Sequence, residues 1–90
     1  MRAAKVDKNQ TEIVDAFRKM GFSVQHLHTV GGGVPDLLIG RGGVNLLVEV
    51  KDGCKAKLTV DQMKWHDEWR GQIAIVRNLD DVIKLVGELF

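Results

Sequence analysis

The amino-acid sequence predicts an α/β protein in which helices flank a central sheet. Segments with helical periodicity alternate with short runs rich in Leu, Ile and Val. The two central runs are apolar on both faces, which is typical of strands covered on both sides. The chain of 90 residues has room for one hydrophobic core, so we expect a single domain over residues 1–90.

The first part of the chain is predicted to form a helix and then a strand. The apolar face of the helix, residues 9–20, carries Ile13, Val14, Phe17 and Met20. Asn9 or Asp7 can cap its start, and Gly21 follows its end, where a left-handed residue is favoured. Residues 22–28 alternate in the manner of a strand.

A β-hairpin is predicted next, followed by two helices that enclose another strand. Residues 35–39 and 46–51 are apolar runs separated by a glycine-rich turn. A second helix is expected over residues 59–70 and a strand over residues 72–77. The last helix is expected to point Val82, Ile83, Val86, Leu89 and Phe90 inward. The predicted order is therefore α-β-β-β-α-β-α.

Composition excludes several classes of protein. The single cysteine, Cys54, cannot form an internal disulfide or a zinc cluster. The N-terminus has no apolar run of the kind found in a signal peptide, and no segment approaches the length of a membrane helix. We therefore expect a cytoplasmic protein without membrane partners. The net charge of +1 does not indicate a nucleic-acid partner, although a local basic patch could still bind one.

Two acidic residues of the hairpin are predicted to face each other. If the turn is formed by Gly42 and Gly43, Asp36 lies opposite Glu49, with Cβ atoms roughly 4.5–5.5 Å apart. A loop one residue longer would shift this register. Lys51 follows Glu49 by two residues and therefore shares its face of the sheet.

Carboxylates this close are unfavourable unless a cation neutralises them, and hard oxygen ligands suit Mg²⁺ or Mn²⁺. A bound ion can activate water for attack on a phosphodiester, and the ammonium of Lys51 could orient that water or stabilise developing charge. Two structural alternatives remain at this point: a solvated strand face, or a carboxylate–lysine pair without metal. The flanking Leu47, Val48 and Val50 favour burial and therefore a paired or liganded site.

The same residues resemble the signature of the PD-(D/E)XK nuclease superfamily. They read VPDLLIG over residues 34–40 and VEVK over residues 48–51. Nearly the whole chain is similar to a stand-alone VRR-NUC domain, a viral-type replication and repair nuclease. This resemblance implies a restriction-endonuclease-like αβββαβ core with a central mixed sheet and an extra C-terminal helix.

The resemblance also implies roles for individual residues. Asp36, Glu49 and the backbone carbonyl of Val50 would hold the divalent ion, and Lys51 would be catalytic. It implies an endonuclease that acts on DNA in replication, recombination or repair. By family analogy the substrate would be branched DNA such as a four-way junction, and a homodimer would suit such a symmetric substrate. The alternative is a non-catalytic DNA-binding or assembly subunit with a nuclease-like fold.

Glu12 and Gln62 match two further positions of the family, an acidic residue on the first helix and a glutamine early in the second. Both also have a structural explanation. Glu12 follows Asn9 by three residues and Gln62 follows Thr59 by three, which is the spacing of a capping box. Each residue could be catalytic, a helix cap, or both.

The remaining candidates concern DNA contacts and packing. Lys55 and Lys57, and more weakly Arg41, could contact DNA phosphates, although a solvated loop explains them nearly as well. His26 and His28 share a strand face without a third ligand at suitable spacing, so we interpret them as packing or surface residues. Trp65 and Trp69 are four residues apart on the second helix, which indicates a core or a subunit interface rather than base stacking.

Overall fold

The computed structural model describes residues 7–90 and confirms the predicted order of elements. The helices are α1 (Gln10–Lys19), α2 (Val60–Glu68) and α3 (Leu79–Leu89), and the strands are β1 (Ser23–His26), β2 (Leu37–Arg41), β3 (Val44–Val50) and β4 (Ile73–Val76). The described strands form one sheet in the order β1-β2-β3-β4. The pairs β1–β2 and β2–β3 are antiparallel, whereas β3–β4 is parallel, so the sheet is mixed as expected.

The hairpin has the predicted register. Arg41 pairs with Val44 across the turn. Gly42 and Gly43 have φ angles of 61° and 81°, which residues other than glycine rarely adopt. The ladder ends at the pair of Leu37 with Val48, which are the neighbours of Asp36 on one strand and of Glu49 on the other. The turn therefore fixes which residues reach the end of the hairpin together.

The hydrophobic core lies between the sheet and the two helices α1 and α3. Its buried members are Ile13, Val14, Phe17, Phe22, Leu37, Ile39, Leu46, Val48, Val50, Val76, Val82 and Leu85. Phe22 is central to it, because its ring meets Phe17 and Phe90 edge to face at centroid distances of 5.4 and 4.8 Å. Such pairs add about 0.5–1.5 kcal/mol beyond the area they bury.

The opposite face of the sheet is largely open, contrary to the expectation that the central strands are covered on both sides. Leu38 and Ile75 are 37% and 39% exposed there. Helix α2 covers only the end of this face that carries Glu49, and it has no buried residue. Trp65 and Trp69 stack on each other at 4.7 Å, and Trp69 is exposed, so this pair lies outside the described core.

Helix α3 differs from its prediction in the residues that it buries. Val82 and Leu85 are buried, whereas Ile83 and Leu89 are exposed. The inward direction lies between Val82 and Leu85, three residues apart, and Ile83 is turned about 130° away from it. Within residues 7–90, no helix is long and apolar enough to cross a membrane.

Candidate active site

Asp36 is fixed in place by the strands on both sides of it. Its backbone oxygen accepts a hydrogen bond of 2.7 Å from the N–H of Leu27, next to β1. Its side-chain Oδ2 accepts one of 2.8 Å from the N–H of Val50, at the end of β3. Asp36 is only 3% exposed, so the bond from Val50 to its carboxylate is made in a poorly solvated environment, which strengthens it.

Glu49 is fully buried and lies beside Asp36. Burial, followed by hydrogen bonding and charge repulsion from Asp36, raises the pKa of Glu49 from 4.5 to about 9. Lys51 opposes this shift, and the carboxylate of Asp7 adds to it. Without a cation, Glu49 therefore keeps a proton at neutral pH. The predicted apposition of the two carboxyl groups is present, at the buried end of the hairpin.

Lys51 follows β3 directly and is 7% exposed. Its backbone is held on both sides: the N–H donates to the carbonyl of Val76, and the carbonyl accepts from the side-chain amide of Asn9 at 3.1 Å. The same amide donates to the carbonyl of Arg77 at 2.9 Å. Asn9 thus joins the ends of β3 and β4 and makes no side-chain cap for α1, in contrast to its predicted capping role.

Gln62 reaches the site and caps its helix at the same time. Its backbone N–H donates to Thr59 Oγ1 at 3.2 Å, and its side-chain Oε1 accepts from the N–H of Thr59 at 2.9 Å, which completes a capping box. The remaining amide nitrogen, Nε2, lies 3.4 Å from Glu49 Oε2. The capping box therefore orients the amide that contacts Glu49: the predicted cap is present, and the catalytic role stays a prediction.

The start of α2 is positioned by close packing of the glycine loop that precedes β2. A Cβ on Gly33 would overlap the carbonyl of Asp61, and the φ of Gly33 is 87°. Only glycine fits this approach without strain. The loop therefore brings α2 near Glu49.

His66 also contacts Glu49, which the sequence analysis did not predict. Its Nε2 lies 3.5 Å from Glu49 Oε1, and its side chain is 12% exposed. Burial and the charge of Lys51 lower the pKa of His66 below its usual 6.5, so the ring is uncharged at neutral pH. The available signal was its position: His66 follows Gln62 by four residues and therefore shares its helix face.

Glu12 is not brought to the carboxyl pair. It is exposed and lines a surface cavity of about 430 Å³ together with Asp52, Arg77 and residues at the start of α3. The carboxylate near the start of α1 that affects Glu49 is that of Asp7. The geometry thus gives Glu12 neither the capping bond nor a contact with Asp36 or Glu49 within the described residues.

The two lysines of the loop after β3 are exposed near the site. Lys55 and Lys57 are exposed to solvent and can contact a partner molecule. Arg77 holds the loop that carries them. The guanidinium of Arg77 donates to the carbonyl of Gly53 at 3.0 Å and also to that of Ala56. Their predicted contacts with DNA are compatible with this placement.

Arg41, for which a weak DNA contact is predicted, has structural contacts at the edge of the core. Its guanidinium donates to the carbonyl of Met20 at 2.9 Å and lies over the rings of Phe22 and Phe90, at 4.6 and 5.4 Å from their centroids. These contacts hold α1, the hairpin and the end of the chain together. Arg41 is therefore half-buried at the edge of the core.

The carboxyl pair fits a divalent cation. Glu49 Oε1 is buried without a hydrogen-bond partner, so one hard ligand is available. No group of three or more His, Cys, Asp or Glu side chains in residues 7–90 has an arrangement that could hold a metal. Such an ion would rely on Asp36, Glu49, a backbone carbonyl such as that of Val50, and water. Mg²⁺ commonly binds with few protein ligands of this kind.

Comparisons with known proteins agree with the fold and define a nuclease of the PD-(D/E)XK superfamily with a restriction-endonuclease-like fold. The archaeal Holliday junction resolvase (Hjc) family matches residues 1–83, and the chain belongs to this family. A solved structure described as a VRR_NUC domain is similar with a TM-score of 0.79 and 29% identity, over 98% of this chain and 100% of that one. No curated protein sequence matches. The resemblance seen in the sequence is confirmed.

Proposed function

We propose that this nuclease is a divalent-metal-dependent DNA endonuclease that cuts branched DNA, such as four-way junctions, in replication, recombination or repair. The observation that carries the proposal is the buried pair of Asp36 and Glu49 with Lys51 beside it. A buried acidic pair is costly for folding alone, because each carboxyl group raises the free energy of ionising the other. The pair is therefore better explained by a cation that it holds.

The proposed metal ligands are Asp36, Glu49 and the carbonyl of Val50, and the proposed ion is Mg²⁺ or Mn²⁺. A bound ion would act as a Lewis acid toward a phosphodiester and its attacking water. The hydrogen bond from the N–H of Val50 keeps Asp36 in place, so the ligands are ordered before the ion arrives. Gln62 acts from the other side, through the contact of its amide with Glu49.

Lys51 is the proposed catalytic cation. Its side chain is almost fully buried, and its charge acts on both Glu49 and His66. An ammonium held in a site of low polarity stabilises developing negative charge more strongly than one in water. Lys51 therefore suits the role of stabilising charge on a phosphate undergoing hydrolysis.

The preference for branched DNA rests on the Holliday junction resolvases whose family the chain joins. A symmetric junction needs two cuts, and a single site cuts one strand at a time, so we also propose a homodimer. Exposed apolar side chains support it, since Leu38 and Ile75 on the open sheet face, Met63 on α2 and Trp69 at its C-cap are left in contact with solvent. Lys55 and Lys57 would meet the DNA backbone beside the site.

The proposal is tested by incubating the protein with linear, flap and four-way-junction DNA in Mg²⁺, Mn²⁺ or EDTA. We expect metal-dependent cutting that is fastest on the junction. Lys51→Ala is expected to lower the rate by roughly 10²–10³-fold, the loss typical of removing one charge-stabilising group. Lys84→Ala, which removes an exposed lysine from α3, is the matched control and is expected to cut normally.

Two results would contradict the proposal. One is that no DNA is cut in either metal, and the other is that Lys51→Ala cuts as fast as the wild type. Junction binding without cutting would favour the non-catalytic subunit instead.

A further inference from the structure

Both oxygen atoms of the Glu49 carboxyl group are approached by side chains of α2. Gln62 Nε2 lies 3.4 Å from Oε2, and His66 Nε2 lies 3.5 Å from Oε1. The two α2 residues are one helical turn apart, and the helix therefore presents both nitrogen atoms to one carboxyl group. Glu49 thus lies between the strand that carries it and a pair of nitrogen atoms from a single helix.

The contact of His66 is incomplete in a way that folding alone does not explain. Glu49 Oε1 and His66 Nε2 are both buried, both lack a hydrogen-bond partner, and they face each other just beyond hydrogen-bond distance. Leaving two buried polar atoms unpaired costs free energy. A shift of a few tenths of an ångström would turn the contact into a hydrogen bond and pair both buried atoms.

We propose that His66 is a positioning residue of the nuclease centre, whose Nε2–H holds Glu49 Oε1 while Gln62 holds Oε2. The inference rests on the proposed function, because Glu49 is the carboxylate that it places in the metal site. Each carboxylate oxygen has more than one acceptor direction, so a hydrogen bond to each leaves room for the ion.

The N–H of an imidazole is suited to this task. A second lysine or an arginine at this position would neutralise Glu49 and compete with the ion for its charge. A hydrogen bond from an imidazole N–H orients the carboxylate, as outer hydrogen-bond partners of metal ligands commonly do. Lys51, which already lies near both groups, supplies the positive charge of the site.

The test measures the dissociation constant of Mn²⁺ without DNA, from the electron paramagnetic resonance signal of the free ion. His66→Leu removes the donor at similar volume and is expected to weaken binding roughly 10–100-fold. His66→Gln keeps an N–H at the end of the side chain and is expected to recover most of that loss. Asp67→Ala, at the next and exposed position of α2, is the matched control and should bind like the wild type.

Melting temperatures in EDTA show whether each variant folds. If His66→Leu does not fold, His66→Asn takes its place in the test. The shorter amide of that variant cannot reach Oε1, so the variant is expected to bind Mn²⁺ more weakly than His66→Gln. The inference is overturned if the donor-free variant binds Mn²⁺ as tightly as the wild type. It is also overturned if the glutamine variant is as weak as the donor-free one.

The failure of this inference is distinguishable from that of the proposed function. A wild-type protein that neither binds Mn²⁺ nor cuts DNA would contradict both the proposed function and the role of His66. A wild type that binds and cuts, combined with a His66→Leu variant that binds equally well, removes only the role of His66.

Discussion

Two helices of this protein begin with the same spacing of polar residues and use it differently. Asn9 and Glu12 open α1, and Thr59 and Gln62 open α2. At α2 the pair forms a complete capping box, and the glutamine continues to Glu49. At α1 there is no side-chain cap: Asn9 Nδ2 donates to carbonyls at the ends of β3 and β4, and its Oδ1, the atom that would cap, has no hydrogen-bond partner.

The difference follows from how each helix is held. Helix α1 buries Gln10, Ile13, Val14 and Phe17, so core packing stabilises it and its first polar residue is free to bond elsewhere. Helix α2 buries none of its residues and therefore depends on local bonds at its start. A cap motif in a sequence thus indicates a helix start, whereas its use depends on whether the core already holds the helix.

Among the substitutions that test this comparison of the two helices, Gln62→Ala is expected to have the largest effect. The effect is measured as the cleavage rate on four-way-junction DNA. The change removes both the capping bond and the contact with Glu49. We expect a loss of roughly 10–100-fold, as for other outer partners of metal ligands. A rate within twofold of the wild type, in protein shown to be folded, would contradict a role of Gln62 in the site.

Asn9→Ala is expected to have the next largest effect, on stability. It leaves the carbonyls of Lys51 and Arg77 without their side-chain partner, and two net hydrogen bonds correspond to about 1–3 kcal/mol. The free energy of unfolding in urea and EDTA measures the loss. Asn9→Asp is a useful control, because it could cap the helix but cannot donate to the carbonyls. If it were as stable as the wild type, capping rather than strand joining would be the role of Asn9.

Thr59→Ala is expected to lower the free energy of unfolding by about 1 kcal/mol, the usual contribution of a helix cap. Thr59→Ser keeps the oxygen and should restore most of it. Because Thr59 touches Glu49 only through Gln62, its cleavage rate should fall less than that of Gln62→Ala. If Thr59→Ala lowered the cleavage rate more than Gln62→Ala, the capping box and not the contact of the Gln62 amide with Glu49 would be the feature that supports cleavage.

The smallest effect is expected for Glu12→Gln. Glu12 is exposed, faces its own cavity and contacts neither carboxyl group of the described pair. The cleavage rate should remain within twofold of that of the wild type. The free energy of unfolding should remain within about 0.5 kcal/mol, as for surface substitutions generally. A loss of cleavage of tenfold or more would instead support the catalytic role that the family resemblance implies for Glu12.

The fold and the centre of the site were predictable because short-range rules determine them. Gly42 and Gly43 specify a two-residue turn, and that turn alone sets the hairpin register that brings Asp36 and Glu49 together. The position of Lys51 follows from strand periodicity.

Other features depend on contacts between distant parts of the chain, and local patterns do not encode them. Arg41 is expected from the sequence at the tip of the hairpin, as a weak DNA contact. In the structure its guanidinium lies over the ring of Phe90, which is 49 residues later in the sequence. The apolar outer face of the strands does not reveal whether a helix covers Leu38, and the structure leaves it exposed. His66 shares a helix face with Gln62 in the sequence, but its contact with Glu49 depends on where α2 packs.

The central claim is that Asp36 and Glu49 form a divalent-metal site, and it has a definite pH dependence. Because the pKa of Glu49 is raised to about 9, the folded metal-free protein keeps a proton that the unfolded chain releases above 4.5. The stability of the metal-free protein should therefore fall as pH rises between these values. An ion must displace that proton, so metal affinity should rise with pH over the same range. Asp36, Lys51, His66 and Asp7 are the charged or titratable groups that interact with this carboxyl group or its neighbours.

The most direct measurement is calorimetric titration with Mn²⁺ at pH 7 in two buffers of different ionisation enthalpy, which counts the protons released. We predict that each ion bound releases about one proton. Glu49→Gln, which has no proton to release, should bind the ion far more weakly. Tight binding without proton release, or a Glu49→Gln variant that binds like the wild type, would contradict the assignment of this acidic pair as the metal centre.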